Sequence, residues 1–371
     1  MANPFKFGAP VGGDHFTGRR GEIAEIVGRV KDHLNVVVIS PRRFGKTSLL
    51  DAVCEKLSGS RGTIARVNAM AASDDIGLFA SRLVSAVYAG RGPWHRAKES
   101  IASFAGGFRL QPAISIGANG PTFTFAAEAV RRDPVSVLGD AYAQLATAPT
   151  PMLFVDEFQE LTRLPGNLPG VFKGLADEHP TVSLVVAGSK QHMMRELALD
   201  ARGPLYGMMT AVQLGPIPAI EMGDFVQRRF NVGGKPIARE LADRIVALAG
   251  PVPNDIQHLA YDVYAAVDSG REVTGADVDE GMQAASEHES SVFADTYANL
   301  TSNQRRVLVA LAAEAGVSPQ SRAFLALTGY ANPSGVKRAL AALEDAGIVA
   351  VWDGAWTVVN PFLRRWLTGQ A

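Results

Sequence analysis

Three short stretches carry residues whose types and spacing suit the binding and hydrolysis of a nucleoside triphosphate. The first is Ser40-Pro-Arg-Arg-Phe-Gly-Lys-Thr-Ser48. A triphosphate needs backbone N–H donors around its phosphates, a cation on the β and γ groups, and a hydroxyl on the magnesium. Gly45 permits close backbone approach, Lys46 opens the next helix within reach of the β and γ phosphates, and Thr47 offers its hydroxyl to Mg²⁺. Arg42, Arg43, Phe44 and Ser48 complete the expected cradle. Ser40 stands where the G-x4-G-K-[ST] pattern has its first glycine, so the loop is a variant. Without nucleotide, the Lys46 side chain is expected to project into an open loop. The second stretch, Met152-Leu-Phe-Val-Asp156-Glu157, is an apolar run ending in two carboxylates. Asp156 suits the Mg²⁺ shell and Glu157 suits a base that polarises water toward the γ-phosphate. The third, Val182 to Ala187 followed by Gly188-Ser189, makes Ser189 a candidate contact for the γ-phosphate or the attacking water. That role requires its strand to lie between the other two.

The elements that must position these groups are legible as a pattern. Asn35 to Ser40 is a β-branched run of the kind buried on both faces of a sheet, and Leu49, Leu50, Val53 and Leu57 follow it at helical spacing. Thr63–Val67, Met152–Asp156 and Val182–Ala187 are further buried strands separated by helical stretches, so a parallel α/β sheet is expected. Residues 110–125 alternate around Gly117-Ala-Asn-Gly120 and read as an inserted hairpin. Beyond about residue 218 apolar positions recur at three-to-four spacing, as in Leu241, Ile245, Leu248 and Ile256, Leu259, Val263, which implies a small helical domain. Residues 271–296 hold seven acidic side chains and one basic one, a composition suited to a solvated connector or an exposed helix face. From Leu300 the order is helix, helix, helix, then two short runs turned at Asp353-Gly354, the order of a winged helix. The expected domains are 1–217 (α/β), 218–296 (helical lid and acidic connector) and 297–371 (winged helix).

Composition narrows the function classes. Of 371 residues 47% are hydrophobic and 20% charged, an ordinary globular ratio that excludes disordered and fibrous classes. A net charge of −1 leaves no overall field for polyanions, so nucleic-acid binding would need a local patch. The single cysteine, Cys54, cannot form an internal disulfide and is expected in a buried apolar position without chemistry. No apolar run approaches the length of a membrane helix, and a cytoplasmic protein without membrane contact is expected.

Taken together the chain resembles the archaeal-type ATPases of the STAND class, related to AAA+ P-loop NTPases. The matching pieces are Phe16-Thr-Gly18-Arg19 with Glu22, the phosphate loop with Pro-Arg-Arg inside it, Asp156-Glu157, Gly188-Ser189 with Met193-Met194, and Pro204-Leu-Tyr-Gly207. The resemblance implies a P-loop NTPase fold followed by a helical lid and a winged helix, ATP and Mg²⁺ as ligands, and a nucleotide-driven switch. It also implies that Gly18 and Arg19 lie near the nucleotide base, and that Gly250-Pro251-Val252-Pro253 falls where a lid motif contacts the nucleotide, with Pro253 the contact residue. Such proteins commonly follow Pro-Leu-Tyr-Gly with arginine; Met208 stands here, and the nearby Arg202 is expected to be a solvated loop charge.

Two partner readings stay open for residues 299–371, which carry seven basic and four acidic side chains. Lys337, Arg338, Arg364 and Arg365 could face double-stranded DNA, as in an ATP-licensed initiator resembling origin-recognition ATPases. Glu344 and Asp345 on the same helix suit protein contact or autoinhibition instead. Trp352 and Trp356 are expected to pin the wing, and His192, His258 and His288 are read as isolated. The sequence leaves the oligomeric state open, an oligomer included, and also allows a nucleotide-binding scaffold without turnover.

Overall fold

The computed structural model describes residues 2–58, 62–72, 75–90, 108–117, 120–129, 133–314, 318–352 and 354–369. Two compact units emerge: Arg19–Gly215, and Met1–Gly18 together with Pro216–Ala371.

In the first unit a five-stranded parallel sheet has the order β2-β5-β6-β1-β7, with β1 Asn35–Ile39, β2 Thr63–Asn68, β5 Pro151–Asp156, β6 Ser183–Gly188 and β7 Met209–Gln213. Both faces are covered, which is why these strands read as continuous apolar runs. Val37 and Ile39 of β1, Leu153 and Val155 of β5, and Leu184 and Val186 of β6 enter one cluster with helices α3 (Ile76–Gly90), α4 (Pro134–Ala146), α5 (Leu168–Glu178) and α6 (Gln191–Ala198). The alternate residues, Val36, Val38, Met152, Phe154, Val185 and Ala187, enter the other cluster with α1 (Arg20–Lys31) and α2 (Lys46–Ser58). The expected hairpin is present as β3 Phe108–Gly117 and β4 Gly120–Ala129, antiparallel with Gly117 opposite Gly120; Ala118 and Asn119 of its turn lie outside the described residues. β7 has no counterpart in the sequence reading. Met-Thr-Ala-Val-Gln is a weak strand former at the sheet edge, and it is a strand because it pairs in register with β1, Val38 opposite Val212.

The second unit is helical through residue 345, apart from the described part of its first segment. Helices α7 (Ala219–Val232), α8 (Arg239–Ala249) and α9 (Pro253–Ala266) come first, and Phe5 packs against Phe225, Phe230 and Tyr264. The acidic stretch forms two helices, α10 (Gly275–His288) and α11 (Ser290–Ala298), so it is not a bare connector. Val278, Met282, Ala285 and Phe293 bury one side of these helices in the unit's core, and the acids take the other side or cap an end. The winged helix follows as α12 (Ser302–Ala313), α13 (Arg322–Thr328), α14 (Pro333–Asp345), the antiparallel pair β8 Val349–Trp352 and β9 Ala355–Val358, and α15 (Pro361–Gly369). Thr301, Ser321 and Asn332 cap the three helices through their side chains. Trp356 packs against the core, as expected for a residue that pins the wing; Asp353 and the Trp352 side chain lie outside the described residues. No described helix is long and apolar enough to cross a membrane.

The start of α10 exposes an energetic dependence. Thr274 and Asp277 form a reciprocal capping box, and Arg271 donates to both Asp277 oxygens at 2.6 and 2.9 Å. The Arg271 bonds outweigh burial and hold the Asp277 carboxyl well below the ordinary aspartate range, with the Thr274 bonds adding to the effect. A lowered carboxylate stabilises the fold above its unfolded-state pKa and loses that contribution as pH falls through the folded value. Asp277→Ala should therefore cost about 1–2 kcal/mol at neutral pH, and denaturant titration should show the deficit shrinking only well below about pH 4.

Candidate functional site

β6 lies between β1 and β5, so the carboxyl ends of three adjacent strands bring the three candidate stretches together. The loop leaving β1 is tied to β6 by Ser40 N–H donating to the Gly188 carbonyl at 3.3 Å. Arg43 and Gly45 both adopt left-handed backbone (φ 69° and 80°), curling the loop tightly before α2 begins at Lys46. For Gly45 this conformation is free of steric cost; for Arg43 it is strained, as backbone at ligand-binding loops often is. Phe44 anchors the loop by burying its ring, so only its backbone remains for a ligand, whereas Arg42 and Arg43 are exposed. Ser48 is buried on the first turn of α2.

Lys46 is not in an open loop. Only 6% exposed, its ammonium makes ion pairs with Asp156 Oδ1 and, at 2.8 Å, with Glu157 Oε1. The expected projection fails because the buried Asp156 and partly buried Glu157 carboxylates at the end of β5 draw the Lys46 ammonium to themselves. Thr47 Oγ1 donates to Asp156 Oδ2 at 3.0 Å. Glu157 sits in left-handed backbone (φ 51°), and its Oε2 accepts from Ser189 Oγ at 2.9 Å and Gln159 Nε2 at 2.6 Å. Burial pushes the Glu157 carboxyl up, but the Lys46 charge and the bonds from Lys46, Gln159 and Ser189 outweigh it and leave the group below the ordinary glutamate range. Glu157 is therefore a charged acceptor at neutral pH, engaged on both oxygens.

Arg19, expected near the nucleotide base, lies behind the loop that follows β1. Buried and in left-handed backbone (φ 64°), it donates to Glu22 at 2.8 Å, to the Phe44 carbonyl at 3.3 Å and to the Gly215 carbonyl at 2.7 Å. The guanidinium braces the phosphate loop from behind. Gly18 (φ 69°) and Pro253, the first residue of α9, belong to the other unit. Arg202 is a solvated loop charge at 93% side-chain exposure, paired with Asp200.

Other groups singled out in the sequence fall outside this site. Burial pushes the Cys54 thiol up to about 11, consistent with an inert position on α2. His258 is not isolated: it is buried, 3.3 Å from Asp262 and 3.6 Å from Glu289, and stacked on Phe7 at 3.9 Å. In the winged helix Lys337 and Arg338 are exposed on α14, as are Glu344 and Asp345. Arg364 is spent inside the domain, donating to the Ala312 carbonyl at the end of α12 at 3.1 Å, and Arg365 reaches Gln283 at 3.4 Å. Of the basic cluster expected from sequence, Arg364 is thus withdrawn, Arg365 is exposed but tethered to Gln283, and Lys337 and Arg338 are exposed on α14.

The fold is that of a P-loop NTPase carrying a C-terminal winged helix. A Walker-type ATPase of Pyrococcus abyssi superposes with a TM-score of 0.65 at 15% identity, covering 98% of this chain and 99% of that one. The Aeropyrum pernix ORC2 protein, solved as ADPNP and ADP complexes, gives 0.54 at 12% identity over 100% and 98%. The Aeropyrum pernix ORC1 protein, solved in complex with DNA, gives 0.52 at 14% identity over 96% and 94%. A family described as "probable winged helix domain" matches residues 291–369. No curated protein matches the chain in sequence.

Two features of the site escaped the sequence reading. Gln159, 1% exposed, bridges Glu157 and Glu160, and Glu160 is paired with Lys190 at 2.8 Å and Arg163 at 3.0 Å. The acid-rich run Glu157-Phe-Gln-Glu160 was the available signal, but only the 3-10 turn over Phe158–Arg163 folds Gln159 back onto Glu157.

Lys46→Ala leaves Asp156 and Glu157 without their cation. The nucleotide-free protein should lose about 3 kcal/mol of stability, measurable as a lowered denaturant midpoint, and recover part of it at acid pH where the carboxyls protonate. An unchanged midpoint at neutral pH would mean that the ion cluster contributes nothing to the resting fold.

Proposed function

We propose that this protein binds ATP with Mg²⁺, hydrolyses it slowly and acts as a nucleotide-driven switch of the STAND or AAA+ kind. The observation that carries the reading is the convergence of Lys46, Thr47, Asp156, Glu157 and Ser189 at the ends of three adjacent strands. In this reading the loop N–H groups and Lys46 take the β and γ phosphates, and Ser189 reports on the γ position. Thr47 and Asp156 present a pair of hard oxygens, the donor type that Mg²⁺ takes, and would hold it. The metal would supply charge neutralisation on the phosphates. Glu157 would accept the proton of the attacking water. The domains remain as proposed from sequence: an ATPase domain to residue 217, a lid and connector over 218–296, and a winged helix over 297–371. A cytoplasmic location accords with the single cysteine. Glu157→Gln should leave ATP and Mg²⁺ affinity near that of the parent in calorimetry while slowing single-turnover hydrolysis roughly a hundredfold or more. Hydrolysis at the parental rate would remove Glu157 from the chemistry.

For the winged helix we favour protein contact or autoinhibition over duplex DNA. Only Lys337 and Arg338 of the expected basic cluster stand free of the bonds that hold Arg364 and Arg365, and two exposed acids share their helix. The likeness to a protein solved with DNA keeps the initiator reading as the alternative. Charge reversal of Lys337 and Arg338 should leave weak, salt-sensitive duplex binding near its background, whereas removing residues 299–371 should change the ATPase rate. Tight duplex binding that falls in the double variant, with the salt slope reduced by about one unit per lost contact, would reverse the preference.

A further inference from the structure

Gln159 has a geometry that its neighbours in the 3-10 turn lack. Phe158 and Leu161 are held in the core cluster between them, so the turn has little freedom. The amide nitrogen donates to Glu157 Oε2 at 2.6 Å and to Glu160 Oε1 at 3.3 Å. The amide oxygen is buried without a hydrogen-bond partner among the described residues. It lies over Gly188, where a Cβ would collide with it and with Met194, so a glycine at the end of β6 makes room for this side chain. A buried amide that wastes its acceptor is a poor device for stability, since the unmade bond costs on the order of 1–3 kcal/mol. Its donor end, however, is aimed at one chosen oxygen of the proposed base.

We infer that Gln159 is a positioning residue that fixes the Glu157 carboxylate by Oε2, with Ser189 as the second holder, and thereby selects Oε1 as the basic oxygen. The inference rests on the hydrolytic reading of Glu157 given above. In the resting protein Oε1 is occupied by the Lys46 ammonium at 2.8 Å. When Lys46 turns to a phosphate, Oε1 is released while Oε2 stays held. Water oxygen then bonds to the γ-phosphorus, its proton passes to Oε1, and the bond from phosphorus to the β–γ bridging oxygen breaks with its electron pair leaving on ADP. Without Gln159 the carboxylate can rotate and share the proton-accepting position between both oxygens. The second bond, to Glu160, ties the same amide to Lys190 next to Ser189 and keeps it from following Glu157.

The test uses the full-length chain with Gln159→Met, which keeps the side-chain length and removes both amide groups. The thermal midpoint without nucleotide should change little, because the loss of the donor bonds to Glu157 and Glu160 is offset by removal of the unpartnered acceptor. ATP affinity measured by calorimetry with Mg²⁺ should stay within about twofold, and single-turnover hydrolysis should fall roughly tenfold or more. In the double variant with Glu157→Gln the Gln159→Met loss should vanish, as it must for a residue acting through Glu157. An unchanged rate, or losses that add fully in the double variant, would overturn the inference while leaving the ATPase reading intact. A lowered midpoint with an unaltered rate would assign Gln159 to structure and also overturn it. A parent protein that binds ATP without turnover would overturn both readings together. Should Gln159→Met fail to fold, Gln159→Asn, an amide one methylene too short to reach Oε2, should give the same rate loss with ATP affinity retained; a parental rate there counts against the inference.

Discussion

One ammonium group between two carboxylates sets the terms for the rest of this site. Lys46 meets Asp156 and Glu157 where all three are largely withdrawn from water, and one positive charge does not balance two negative ones. The surplus is met by donors gathered from every nearby element: the Thr47 hydroxyl, the Glu157 N–H on Asp156, the Ser189 hydroxyl and the Gln159 amide on Glu157. A buried ion cluster costs more in desolvation than its Coulomb attraction returns unless such donors are complete, so the donors and the ions must be assembled together. That requirement fixes the topology. The lysine must begin the helix after β1, the acids must end β5, and the strand between them must deliver a serine.

The sheet meets this requirement through burial on both faces. Because alternate residues of β1, β5 and β6 enter two separate clusters, none of the three strands can slip by one residue without turning a full row of side chains toward the wrong helices. Register therefore carries positional precision from the apolar core to the polar ends of the strands. Arg19 extends the same precision to the loop itself, because its guanidinium fixes the Phe44 carbonyl against that of Gly215, just beyond β7. The strained backbone at Arg43 and Glu157 is tolerable in this setting, where Phe44 after the first and Asp156 and Phe158 on either side of the second are buried.

How far the sequence revealed this follows from what each signal measures. The loop, the acid pair and Ser189 were legible because their residue types and their attachment to apolar strands are local properties, and the winged helix was legible because the order of its helices and an Asp-Gly turn between two short β-rich runs are also local. β7 was not, since its strand character comes from a partner far away in the chain and not from its own residues. The acidic stretch misled because composition counts charges without assigning faces: Val278, Met282, Ala285 and Phe293 are few but all on the buried side. Arg364 illustrates the reverse error, a basic residue counted toward a surface that the fold uses to cap α12. His258 needed three elements brought together before its carboxylate and aromatic neighbours could be known.

The closed state of the ion cluster also bears on how a nucleotide would act. A triphosphate brings more negative charge to a place already holding two carboxylates, so it cannot simply fill a waiting cradle. Lys46 has to exchange at least one carboxylate partner for a phosphate, and the carboxylate left behind has to find another cation or a proton. Mg²⁺ at Thr47 and Asp156 would meet half of that demand and leave Glu157 charged, oriented and relieved of its ammonium. On this argument nucleotide and metal bind as a coupled pair, each raising the affinity for the other by the same factor. Nucleotide binding would then turn on an exchange of partners at a single ammonium. Such an exchange is discrete and not graded, which is the property that a switch built on this loop requires.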